Sequence, residues 1–161
     1  MARFISRCIV VLALVIGLVE PLAAKGKTTK VVVSGGGLPA SVELTSSDAL
    51  VNVFVGAYPT TGTLGCVTPQ SFVGAEVSEP DRSFPRYTVS FWGRLPQTAK
   101  EAEVMYRVRY VLDKRTGEAF VYVPGPGDEE FELNRMTVKR PGEGKWHRAA
   151  TTWALAIASA L

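Results

Sequence analysis

Histidine and cysteine are nearly missing from the chain: one His, His147, and two Cys, Cys8 and Cys66, in 161 residues. A structural zinc site needs four such ligands, so that class is excluded. Charge of one sign is also lacking, with 18 Lys+Arg against 15 Asp+Glu and no basic block, and nucleic acid is not an expected partner. No apolar run reaches the ~20 residues a membrane-crossing helix needs. No repeat occurs at solenoid periods, no G-x-S-x-G elbow accompanies the histidine, and the Gly35-Gly36-Gly37 run is not G-x-G-x-x-G and has no Gly-Lys-Ser/Thr after it. What remains is ordinary globular material, 47% hydrophobic with 15 Gly and 10 Pro spread along the chain, which excludes disorder, collagen and coiled coil. The length allows one domain.

The N-terminus carries the most specific signal. Met1, Arg3 and Arg7 form a basic start, and Cys8 to Val19 an apolar run of 12 residues that stops at Glu20-Pro21. This pattern predicts a signal peptide over residues 1–24, cut after Ala24 in Leu22-Ala23-Ala24, and a single exported globular domain over 25–161, secreted or periplasmic. Removing residues 1–24 takes Arg3, Arg7 and Glu20 and leaves 16 Lys+Arg against 14 Asp+Glu. Only Cys66 then remains, so no intramolecular disulfide forms, and a buried thiol is expected. Ile5-Ser6-Arg7 ahead of Cys8 does not make a lipoprotein site. The apolar tail Ala149 to Leu161 is 13 residues, too short to anchor, so no stable membrane span is expected after cleavage.

The expected fold class is α+β, mainly β: an antiparallel β-meander with a short C-terminal helix packed on it. Lys30 to Ser34 reads as a β-branched strand that stops at Gly35-Gly36-Gly37, and Ser41 to Thr45 as its hairpin partner. Ser46-Ser47-Asp48 begins a short helical turn, and a short strand is expected at Phe72 to Val77 within a loop-rich stretch. Alternation places Tyr87, Val89 and Phe91 on one face of a strand from Arg86 to Trp92. In the next, it places Val104, Tyr106, Val108, Tyr110 and Leu112 on one face with Arg107 and Arg109 opposite. Asp113 to Glu118 is a turn closed by a glycine at positive φ, Ala119 to Val123 the returning strand, and Glu130 to Lys139 a fourth. Beyond a turn at Pro141 to Gly144 the period changes. Ala150, Trp153, Ala154, Ile157 and Leu161 lie on one helical face, with Trp153 and Ile157 directed at the sheet.

Three groups of residues are candidates for ligand chemistry. Gly35, Gly36 and Gly37 offer a turn whose backbone N–H groups suit an anion, or close backbone approach at a sheet corner. Arg107 and Arg109 present guanidinium forks to an acidic glycan or carboxylate, with Trp92 as a stacking platform on the same face; the plain alternative is pairing with Glu101, Glu103 or Glu118. Asp128, Glu129 and Glu130 are weak metal candidates without EF-hand spacing, so neither a metal nor a cofactor is expected. His147, read as a surface or helix-start residue, is the one side chain available to a small hydrolase, alone, with Cys66 or alongside acidic residues.

Ser34 to Leu38 (SGGGL), Phe120 to Asp128 (FVYVPGPGD) and Gly144 to Trp146 (GKW) together give the chain a likeness over most of residues 30–153. It resembles small uncharacterised bacterial proteins with an SGGGL start and a GYVYLPGxGD hairpin, departing from them at 56–85. The resemblance implies one domain and no activity, cofactor or site. The expected role is a non-catalytic binding or structural module whose partner is an envelope or extracellular protein or an acidic ligand. The alternative is a secreted hydrolase using His147 or acidic residues. A subunit role would show as an exposed apolar patch around Trp92.

Overall fold

A computed structural model describes residues 27–51, 72–94, 99–134 and 142–161. The expected signal peptide, both cysteines, most of the loop-rich stretch and positions 135–139 of the expected fourth strand lie outside them. The described chain forms one antiparallel sheet and two helices. The strands are β1 (Lys27–Gly35), β2 (Val42–Leu44), β3 (Val73–Val77), β4 (Arg86–Arg94), β5 (Glu103–Leu112), β6 (Ala119–Val123) and β7 (Lys145–Ala149). The helices are α1 (Phe131–Asn134) and α2 (Thr151–Ala158). Spatial order is β2-β1-β4-β5-β6-β7-β3, so β4 to β7 are the meander and the β1–β2 hairpin and β3 extend its two sides. None of the described helices is long and apolar enough to cross a membrane.

Alternation along the strands makes the two faces unlike. Val31, Val33, Tyr87, Val89, Phe91, Tyr106, Val108, Tyr110, Val121 and Val123 point to an inner face and are buried. The C-terminal helix lies on that face as its periodicity predicts, burying Trp153 and Ile157. Trp153 stacks on Phe91 at 6.1 Å and meets Tyr110 edge-on at 5.7 Å, with Phe72 at 5.3 Å, geometries that add to the burial of large rings. The turn into β6 forms as expected: Asp113 accepts from the backbone N–H of Arg115 and the Thr116 hydroxyl, and Gly117 takes φ 75°.

Three expectations need correction. Positions 131–134 of the strand expected from Glu130 to Lys139 are a helical turn, with Glu130 bonded to Arg109 and the Asn134 amide to the Arg107 backbone. Lys145–Ala149 is a strand where only a turn and then a helix were expected. Val104 does not share a face with Tyr106, since the β4–β5 register shifts between Phe91 and Trp92 and sets Val104 opposite Trp92.

Candidate functional site

The outer face of the sheet carries the charges. From β1 across to β7 it presents Lys30, Arg86, Trp92, Arg107, Arg109, Tyr122, Trp146 and Arg148, and the cations lie along aromatic rings. Lys30 sits 5.1 Å from the Trp92 ring, Arg86 5.4 Å from Trp146 and Arg109 5.1 Å from Tyr122. Most of the cations also have an acid: Lys30 meets Glu43 at 2.7 Å, Arg86 meets Glu79 at 3.1 Å and Arg148 meets Glu118 at 2.7 Å. Glu118, foreseen as a partner for Arg107 or Arg109, therefore serves Arg148.

Arg109 is the centre of the densest cluster. Its guanidinium donates to Glu130 through Nε at 3.2 Å and Nη2 at 2.7 Å, and to Asp128 Oδ1 at 3.1 Å. The other Asp128 oxygen accepts from the Tyr122 hydroxyl at 2.7 Å and the Gly125 N–H at 2.9 Å. The hydrogen bond from Arg109 holds the Glu130 carboxyl below the usual carboxylate range, against its burial. Burial works against ionisation of Asp128 as well, but the Gly125 N–H, the Tyr122 hydroxyl and Arg109 together outweigh it and hold that carboxyl low. Burial, then the bond to Asp128, pushes the Tyr122 hydroxyl up to about 12. Both carboxylates thus stay ionised and spent on one arginine. Among the described residues, no three His, Cys, Asp or Glu side chains gather as metal ligands, and Glu129 points outward as an exposed residue.

Arg107, two residues along, differs from Arg109. No carboxylate lies within ion-pair distance of it among the described residues, and it stands half-buried opposite Ser90. Its backbone is fully engaged. The β5–β6 register sets Arg109 opposite Tyr122, so continuing it would bring Pro124 opposite Arg107, and proline has no N–H to donate. The side chain of Asn134 replaces the missing peptide unit: Oδ1 accepts from the Arg107 N–H and Nδ2 donates to the Arg107 carbonyl, both at 2.8 Å. The sequence gives no sign of this pairing beyond Pro124 itself.

The other candidates lie apart. Gly35, Gly36 and Gly37 all take positive φ, and a Cβ on Gly36 would fall 2.1 Å from the Tyr87 ring. The triplet therefore curls over an inner-face ring, the close backbone approach of the two readings, on the opposite side of the sheet from Arg107. Lys30 lies over the Trp92 ring, 5.1 Å from its centroid. His147 is neither at the surface nor at a helix start: it is buried in β7 opposite Val121, with Nε2 3.1 Å from the Gly142 carbonyl oxygen. A shallow cleft of about 190 Å³ between α2 and the β5–β6 turn is lined by Leu112, Ala119, Ala154 and Leu155 and contains none of the expected residues. Comparison with protein-family models, curated proteins and solved structures finds no match.

Proposed function

We propose that the chain is an exported, non-catalytic binding or interaction module of the periplasm or cell exterior, working through the outer face of its sheet at Arg107. The basic, apolar and small-residue regions of residues 1–24 support export. One observation carries the rest. Arg109 holds both Asp128 and Glu130 ionised in a closed cluster, which suits neither carboxylate to act as a general acid, while Arg107 beside it keeps its guanidinium without a carboxylate among the described residues. A guanidinium on a rigid strand, next to a sheltered Ser90 hydroxyl, offers a fork to a carboxylate ligand such as an acidic glycan. Arg109 belongs to the scaffold that positions this strand.

An NMR titration of the protein with oligogalacturonate tests the proposal. The expected result is saturable shifts at Arg107 and Ser90 that vanish in Arg107→Ala, with the oligosaccharide recovered uncleaved. Shifts confined to other surfaces, or cleavage of the sugar, would sink it.

A further inference from the structure

Residues 124–134 cross the outer face between β6 and the open flank of β5, and three features make them one body. The Asp128 N–H donates to the Gly125 carbonyl, that of Phe131 to Asp128, and that of Asn134 to Glu130. No side chain of the segment belongs to the inner-face core, and its own apolar residues, buried Pro124 and half-buried Phe131 and Leu133, lie outside that cluster. Its attachments include the Arg109 cluster in the middle, the Asn134 amide on Arg107 at the far end, and the close crossing of Gly125 over Gly144 at the near end, where a Cβ on Gly125 would lie 2.5 Å from Gly144 N. Segments outside the main core can open locally, below the free energy of global unfolding.

We infer that residues 124–134 are a latched strap, a unit that docks and releases without the sheet, held shut by Arg109 across Asp128 and Glu130. Opening it withdraws the Asn134 amide and leaves the main-chain groups of Arg107 to solvent. The charged and titratable groups facing the latch are Arg109 and Tyr122 from the sheet and Asp128 and Glu130 from the strap itself.

Residue-resolved amide exchange on the intact protein at one fixed pH tests the strap, because neighbouring amides report on different things. The Arg107 N–H bonds to Asn134, whereas in an antiparallel ladder the next N–H, that of Val108, points the other way, towards Val89 of β4. In Arg109→Gln the Arg107 amide should exchange faster by roughly tenfold while Val108 keeps its protection. The double substitution Asp128→Asn with Glu130→Gln, which keeps the side-chain shapes, should do the same and serves if Arg109→Gln does not fold. An Arg107 amide unchanged in the folded variant would show that the latch does not hold the strap. Equal loss at Arg107 and Val108 would show that strap and sheet open as one; either result overturns the inference.

Discussion

Pro124 cannot donate a hydrogen bond, and the consequence is met ten residues later by a single amide. Asn134 is buried and spends its side chain on the two backbone groups of Arg107 that the sheet leaves unpaired. Asn134→Ala strands both, at a cost of roughly 1–3 kcal/mol for each buried group left unsatisfied. Urea denaturation should show the midpoint falling with little change in slope; an unchanged midpoint would mean that water replaces the amide freely. The glycine triplet gives a second test at this scale. Gly37 has open space around its missing Cβ, so Gly37→Ala meets only the strain of its φ of 84°, about 1–3 kcal/mol. Gly36→Ala adds a collision with the Tyr87 ring and should lower the thermal midpoint further. Equal losses would remove the ring contact as the reason for Gly36.

Elements with clean periodicity were legible in the sequence, and those shaped by distant contacts were not. The alternation of β4 and, from Tyr106 onward, of β5, the Asp113 turn and the helical face of α2 are local properties, and each appears where the pattern placed it. β7 is hidden because its burial does not alternate: Trp146 and the adjacent His147 are both buried, Trp146 on the outer face beneath Arg86 and beside Tyr122 at 5.2 Å. The helical turn at 131–134 answers to Arg109 and Arg107, far away in sequence. Of the candidate site, the residue types at Arg107 and Arg109 were readable but their different partners were not, since Asp128 and Glu130 lie about twenty positions downstream. Trp153 is the main link between α2 and the sheet, and Trp153→Ala should cost about 3–5 kcal/mol in chemical denaturation; a loss under 1 kcal/mol would mean that α2 contributes little to the fold. The Arg109 cluster adds to the acid dependence of stability, as does Asp113, held low first by the Thr116 hydroxyl. Asp128 and Glu130 both titrate below their ordinary values when folded, so their contribution is complete above the usual carboxylate range and is lost as pH falls through the depressed values. Arg109→Gln should flatten this acid limb of the stability curve, and an unaltered limb would place the acid sensitivity elsewhere.

The molecule as a whole is a two-layered α+β structure with its aromatic core under one helix and its charges on the opposite face of the sheet. Pairing on that face is largely internal, five strands contributing a cation or an aromatic partner, and among the described residues Arg107, like Arg94 at the end of β4, has no carboxylate at ion-pair distance; the proposed ligand would supply that anion at Arg107. The proposed export underlies this reading, because it sets the chain that folds and the partners it meets. Intact mass of the protein recovered from the periplasmic and extracellular fractions of its host, with and without reductant, tests it most directly. The predicted result is the mass of residues 25–161, unchanged by reductant; the full-length mass recovered in the membrane fraction would contradict it.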